Sequence, residues 1–288
     1  MPSAADLLER CTFPGPGEPL SCAVSGGADS LALLALACAA GCRVTAIHVD
    51  HGLRAGSAGE AAVVASAARR FGAVFRSVRA PVPPGPNLEA RARIARRAVL
   101  PEGSATGHTM DDQAETVVLN LFRGAGLDGL AGMRPGPVHP LLSIRRSDTH
   151  DLCASLSLDP VVDPTNADRR FLRNAVRHDL LPACSYAAGR DLVPVLARQA
   201  RLLADEASLL DQLSSAIDPA DAATLAAAPL PLARRAARRW LRSADHPPDA
   251  AAVERVLAVA AGAAAATDVA PGIRVRRRRG RLVAGPTG

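Results

Sequence analysis

Short apolar runs alternate with longer helical stretches through the first half of the chain. Residues 21–24 form an apolar run that breaks into Ser25-Gly26-Gly27-Ala28-Asp29-Ser30 and then into a Leu/Ala-rich stretch over residues 31–40. That order predicts strand, glycine loop and helix. Residues 43–49 are apolar and β-branched, and residues 73–78 repeat the pattern, giving two more strands. Between them, residues 57–71 are Ala/Val-rich at helical spacing and stop at Gly72, a residue suited to closing a helix. A Pro-rich loop over residues 81–86 leads into a helix at residues 87–100, a short fourth strand at 104–107 and a helix at 112–123. Strands alternating with helices imply a parallel, Rossmann-like α/β sheet covered on both faces. Ligands of such sheets sit at the carboxyl ends of the strands. The Gly26-Gly27 loop, His51-Gly52 and Gly107-His108 all fall on that edge.

Beyond Gly124 the pattern changes to a glycine-rich loop followed by helices. Residues 171–181 read as a helix stopped by Pro182, and residues 190–213 as a longer one. From Ile217 onward Ala and Arg dominate. The stretch 273–284, with Arg at alternate positions around Gly280, predicts a β-hairpin with Val275, Leu282 and Val283 on one face. These shifts divide the chain into an α/β domain over residues 1–182 and a smaller, mainly helical domain over residues 183–288 that ends in the hairpin.

Composition narrows the class. The chain has 288 residues, enough for a sizeable core, and only 2% aromatic residues, so that core must be built from Ala, Leu and Val. No apolar run approaches a membrane span and the first residues lack the order of a signal peptide, so a cytoplasmic protein is expected. The six cysteines show no Cys-x-x-Cys or metal spacing and read as reduced, structural thiols. The net charge of +6 is carried by Arg, because the sequence contains no Lys. Guanidinium binds phosphate in bidentate fashion and stacks on bases, which makes a nucleic-acid partner plausible.

The glycine loop carries the first chemistry. Gly26 and Gly27 let a ligand approach the backbone, while Ser25, Ser30 and the amides at the helix start can donate to phosphate oxygens. Asp29 would repel phosphates unless a cation intervenes, and Mg²⁺ resolves that conflict. A plain Gly-Gly turn with an Asp/Ser helix cap would use the same residues. The motif resembles the PP-loop of the N-type ATP pyrophosphatases, which cleave ATP to AMP and pyrophosphate. It is neither a Walker loop nor a Gly-x-Gly-x-x-Gly fingerprint. A second cluster is His108-Thr109-Met110-Asp111-Asp112-Gln113-Ala114-Glu115. Asp112 with Glu115 fits helix capping, Asp112 being the N-cap; the crowding of His108 and Asp111 into the same turn fits a site for Mg²⁺ or an ammonium group.

Several motifs in order make the resemblance specific. They are Ser25 to Ser30, His48-Val-Asp-His51-Gly-Leu-Arg54, Asn87-Leu-Glu-Ala-Arg91, His108 with Asp111-Asp-Gln-Ala-Glu-Thr116, the Leu121–Met133 glycine loop, Asp163-Pro-Thr-Asn166 and Phe171-Leu-Arg-Asn-Ala-Val-Arg177. Together they resemble the tRNA(Ile)-lysidine synthetase family over roughly the first two-thirds of the chain. The resemblance implies an adenine nucleotide alpha hydrolase-like fold and an ATP site at Ser25, Gly26, Gly27, Ala28, Asp29, Ser30 and His51. It implies a metal at Asp29 and Asp111, catalytic roles for Asp29, Asp112, Glu115 and Arg173, and lysine or intermediate binding by Asp112, Glu115, Arg173 and Arg177.

ATP and Mg²⁺ are the implied cofactors. L-lysine and a tRNA(Ile) with a CAU anticodon are the implied partners, with no membrane or stable protein partner. Arg123 matches the family's substrate-facing loop. The basic helix with Arg234, Arg235, Arg238, Arg239 and Arg242 is a candidate tRNA surface, or simply a solvated face. Three departures stand out. Thr106-Gly107-His108 occupies a place where two histidines are common, Arg97 stands where a tyrosine is usual, and the second carboxy-terminal module of longer members is expected to be missing. A tRNA thiolase on this scaffold would need sulfur-handling cysteines, for which Cys38 and Cys42 are the nearest approach. A silent nucleotide-binding module would not need Asp29, Asp111, Asp112 and Glu115 together.

Overall fold

The structure, a computed structural model, describes residues 3–52, 57–82, 85, 88–163, 165, 168–241 and 248–287. Arg54, Asn87, Asn166 and Arg242, each part of a motif above, lie outside the described residues. The chain divides into two compact units, Met1–Leu203 and Ala204–Gly288.

In the first unit the order is α1 (Ala4–Leu8), β1 (Pro19–Ala23), α2 (Ala28–Ala39), β2 (Arg43–Asp50), α3 (Ser57–Arg70), β3 (Val74–Arg79), α4 (Leu88–Val99), β4 (Ala105–Thr106) and α5 (Met110–Phe122). The four strands form one parallel sheet in the order β3-β2-β1-β4. β1 is central: Cys22 pairs with Ala46 on one side and Ala105 on the other. A strand flanked on both sides in a covered sheet reads as a continuous apolar run, as residues 20–24 nearly do. The helix α2 is apolar all round, and Leu31, Leu33, Leu34 and Leu36 are buried, so it is a core helix rather than a surface one. Leu, Ala, Val and Cys fill this core.

The unit continues with α6 (Leu127–Leu130), α7 (Arg146–Ser155), α8 (Leu172–Ala175), a π-helical turn (Val176–Leu180) and α9 (Leu181–Ala187). Two details differ from the sequence reading. The helix expected from 112 starts earlier, and Thr109 is its N-cap while Asp112 is the third helical residue, closing a capping box. Pro182 does not stop a helix; it sits in the first turn of α9, where its missing amide is not needed. The sequence does not predict α7, whose mixed polar residues carry no clear apolar periodicity.

A long helix, α10 (Val193–Ser215), runs from the first unit into the second. The second unit holds α11 (Ala222–Ala227), α12 (Leu230–Leu241), α13 (Ala250–Ala260) and the strands β5 (Ala266–Ala270), β6 (Ile273–Arg278) and β7 (Arg281–Pro286), antiparallel in that order. The expected hairpin is β6–β7, joined to a third strand. Val275 and Leu282 are buried as expected, but Val283 pairs opposite Arg276 on the other face and is exposed. Two adjacent residues of a strand cannot share a face. On α12, Ala233, Ala236, Ala237 and Leu241 bury one stripe and leave the arginines on the opposite side.

The β6–β7 turn is two residues, Arg279-Gly280, both at positive φ (47° and 79°). That geometry is the type I′ turn, which favours Asn before Gly. Arg279→Asn should therefore stabilise the second unit by about 0.5–1 kcal/mol. The single Trp of the chain, Trp240, packs on that unit's core. A higher midpoint of Trp240 fluorescence on urea unfolding is the expected result.

Candidate active site

The glycine loop occupies the four residues between β1 and α2. Val24 N–H donates to the Ile47 carbonyl at 2.9 Å, tying the loop entrance to β2. Gly26 sits at φ 92°, and its carbonyl accepts the Val161 N–H at 3.0 Å. Gly27 is the N-cap of α2, and no side chain caps the helix start. An uncapped N-terminus at the carboxyl edge of the sheet is a ready anion site. Ser25 and Ser30 brace the loop: Ser25 N–H donates to Ser30 Oγ at 3.2 Å, and Ser30 Oγ donates to the Gly27 carbonyl at 2.8 Å.

The loop after β4 presses against this helix start. A Cβ built on Gly107 would lie 2.7 Å from the Asp29 carbonyl oxygen, so no larger residue fits there. A second imidazole stands beside His108. His139 packs edge-on against it with ring centroids 5.2 Å apart, and both Nδ1 atoms meet Thr106 Oγ1, at 2.7 and 2.9 Å. Burial holds the His108 imidazole down at about 4, outweighing the nearby Asp112 charge, so it is neutral at physiological pH.

Four carboxylates and four guanidinium groups meet at the start of α5. Arg146 donates from Nε to Asp29 Oδ2 at 3.4 Å, from Nη1 to Glu115 Oε1 at 3.1 Å and from Nη2 to Asp112 Oδ1 at 3.0 Å. Arg173 Nε donates to Glu115 Oε2 at 2.7 Å and its Nη2 to Asp112 Oδ1 at 3.2 Å. Arg177 grips Glu115 with Nε at 2.6 Å and Nη2 at 3.1 Å. Arg145 chelates Asp111 with two bonds of 3.1 Å and also pairs with Asp191. The Arg146 N–H adds a 2.8 Å bond to Asp111, and Thr149 Oγ1 donates to Asp29 Oδ1. Arg173 and Arg177 stand four residues apart across the junction of α8 with the π-helical turn, a feature that often marks functional sites.

Burial and pairing act differently on the two best-defined carboxylates. Asp29 is raised above its ordinary value, burial outweighing Thr149 and Arg146. Burial also pushes Asp112 up, but Arg146, Arg173 and the Thr109 N–H outweigh it and hold the carboxyl at about 2. Among the described residues no group of three or more His, Cys, Asp or Glu side chains is placed to hold a metal ion. Mg²⁺ needs only one or two carboxylates beside phosphate oxygens. Asp29, next to the anion-binding helix start, suits that donor set. Asp111 has both oxygens engaged by Arg145 and by the Arg146 N–H.

Other residues singled out in the sequence lie elsewhere. His51 stands just past β2 on the same sheet edge, and its Nδ1 meets the Ala80 carbonyl at 3.0 Å. Arg123 caps the end of α5 and is exposed, reaching Asn120 Oδ1 at 3.4 Å. The loop after it is pinned through Gln113, whose side chain exchanges two 2.9 Å bonds with the Met133 backbone. In the second unit Arg234 pairs with Glu254 at 2.6 Å, Arg235 pairs with Asp211, and Arg239 donates to the Ser214 carbonyl at 2.9 Å. Arg238 is partly buried on the same helix. Arg145, Arg146, Thr149 and His139 did not stand out in the sequence. They reach the cluster from distant segments, and only the spatial arrangement reveals them.

Comparison with known proteins agrees with this geometry. Residues 6–184 match the PP-loop domain family, and residues 221–283 match the TilS substrate binding domain. The first unit is thus a PP-loop, ATP-utilising domain. Two relatives named tRNA(Ile)-lysidine synthase are each 43% identical. The one from Nocardia farcinica aligns over 80% of this chain and 77% of its own length, and the one from Salinispora tropica over 94% and 92%. The chain belongs to the tRNA(Ile)-lysidine synthase family. Among solved structures, the U34-tRNA thiolase NcsA from Methanococcus maripaludis, with its [4Fe-4S] cluster, shares the fold at a TM-score of 0.54. It is 16% identical and covers 69% of this chain and 77% of its own.

Two outcomes follow from the packing. Gly107→Ala should destabilise the first unit by about 1–3 kcal/mol, because the new methyl must displace backbone of α2; thermal unfolding followed by circular dichroism measures it. Asp112, lowered from 3.8 to about 2, contributes about 2 kcal/mol of stability that is present above pH 4 and lost as pH falls toward 2. Asp112→Asn should therefore flatten the pH dependence of the thermal midpoint between pH 4 and 2.

Proposed function

We propose that the protein joins the ε-nitrogen of L-lysine to C2 of the wobble cytidine of a tRNA(Ile) with a CAU anticodon, using ATP and releasing AMP and pyrophosphate. Formation of lysidine changes the codon read from AUG to AUA and the tRNA identity from methionine to isoleucine. The observation that carries this reading is the single network joining Asp29, Asp112, Glu115, Arg173 and Arg177 beside an uncapped glycine loop. Activation and amine transfer need those two functions side by side.

The C2 oxygen of cytidine is a poor leaving group. In the proposed first step it attacks the α-phosphorus of ATP and pyrophosphate departs. In the second the lysine amine attacks C2, and the former C2 oxygen leaves on AMP. The loop from Ser25 to Ser30 cradles the phosphates with backbone amides and hydroxyls, and His51 borders the nucleotide on the same edge. Mg²⁺ bound with ATP would neutralise phosphate charge, held by Asp29. Asp111 stands close by as the clasp on α7.

The amine, with a pKa near 10.4 in water, must lose a proton before it attacks. Asp112, held ionised at about 2, is suited to binding and orienting the ammonium and poorly suited to taking its proton. Glu115 is the other carboxylate in reach, and Arg173 and Arg177 supply charge for the lysine carboxylate or the adenylate. We place catalysis in residues 1–182. Residues 183–288 are assigned to tRNA contact, with Arg234, Arg235, Arg238 and Arg239 toward phosphates, and Arg123 of the catalytic domain meets the substrate as well.

Labelled lysine should enter a tRNA(Ile) transcript with a CAU anticodon, with equimolar AMP and pyrophosphate, and not a transcript carrying a different anticodon. Absence of incorporation would reject the assignment. Asp29→Ala should abolish AMP release by at least 100-fold while tRNA retention on filters stays within about twofold.

A further inference from the structure

The four arginines of the cluster are not equivalent. Arg145, Arg173 and Arg177 each share their carboxylates with another guanidinium or chelate them with two bonds. Arg146 alone among the described residues joins Asp29 to the α5 pair, reaching three carboxylates from one guanidinium. Its contacts are graded. Those to Asp112 and Glu115 are 3.0 and 3.1 Å, whereas the Nε bond to Asp29 is 3.4 Å, near the limit of a hydrogen bond. Without Arg146, Glu115 and Asp112 keep Arg173 and Arg177, while Asp29 keeps the Thr149 hydroxyl and a weaker electrostatic contribution from His150.

The backbone fixes this arrangement. Arg146 is the first residue of α7, and its N–H is bonded to Asp111 at 2.8 Å. Thr149 follows three residues later on the same face, so one turn of α7 closes on both oxygens of Asp29. The contact to Asp29 comes from Nε, whereas those to Asp112 and Glu115 come from the two terminal nitrogens, so the two sets of bonds use different atoms of the guanidinium.

We infer that Arg146 is a built-in counter-cation: it neutralises Asp29 in the nucleotide-free protein and yields that carboxylate to the divalent cation that accompanies ATP. Arg146 is thus a positioning residue. It keeps Asp29, Asp112 and Glu115 from repelling one another before substrate arrives, and it makes metal binding at Asp29 conditional on the extra charge that the triphosphate brings. The inference rests on the reading of Asp29 as the metal carboxylate.

Equilibrium binding of a fluorescent, non-hydrolysable ATP analogue, titrated with Mg²⁺, tests it without reference to turnover. Arg146→Met removes the competing charge, so half-saturating Mg²⁺ should fall by about tenfold, in the range typical of two ligands linked through one group. Analogue affinity at saturating Mg²⁺ should stay within about twofold. Arg146→Lys, which keeps one charge, should hold the half-saturating Mg²⁺ near the wild-type value and serves as the folded control if the Met variant is unstable. An unchanged or higher Mg²⁺ requirement in Arg146→Met, or a loss of analogue affinity at saturating Mg²⁺, would overturn the inference alone. A wild type whose analogue binding ignores Mg²⁺ would overturn the metal reading of Asp29 as well.

Discussion

Glu115 is fully buried, and a buried carboxylate is tolerated only when opposite charge and hydrogen bonds surround it. Three guanidinium groups do so here, from Arg146, Arg173 and Arg177. They arrive from α7 and from α8 with its π-helical turn, so this one acid ties two separate chain segments to α5. Replacing such a pair by apolar groups is often neutral, but removing one partner leaves an uncompensated buried charge and is strongly destabilising. The cluster therefore acts as a keystone for the region around the glycine loop. Its cost in desolvation makes sense only if the same charges are used for something besides holding the fold.

The α/β half of the fold was legible because its signals are local. A buried central strand is a continuous apolar run, a core helix is apolar all round, and Gly26 marks the turn between them. The carboxylates of the site were legible for the same reason: Asp29 and the Asp111–Glu115 group lie in compact motifs. The arginines that balance them were only half visible. Arg173 and Arg177 belong to a recognisable motif, whereas Arg145 and Arg146 begin a helix of mixed composition and owe their place to long-range packing. The helix cap lies one turn before the place the sequence pattern suggests. Asp112 looked like an N-cap because a carboxylate three residues before Glu115 fits that pattern, but Thr109 satisfies the same rule one turn earlier and frees Glu115 to face the arginines.

The basic character of the second unit also reads differently in three dimensions. Arg234, Arg235 and Arg239 are held by partners within that unit, to Glu254, Asp211 and the Ser214 carbonyl. A run of arginines on a helix thus does two jobs at once. It stitches α12 to α10 and α13, and it adds positive charge to a surface where salt screens anything beyond about a Debye length. Charge that is paired locally still contributes little to the site-specific grip, so phosphate contact in this unit depends on groups whose partners can be exchanged.

Every cationic side-chain contact in the ionic cluster comes from guanidinium, in a chain without a single lysine. This has a practical consequence for chemical probing. Reagents directed at amines find no side-chain target in the protein, which leaves only a chain-terminal α-amine for them to modify. Dicarbonyl reagents that attack arginine would instead strike the folding network and the proposed site together. An amine-directed reagent thus leaves every side chain of the ionic cluster unmodified.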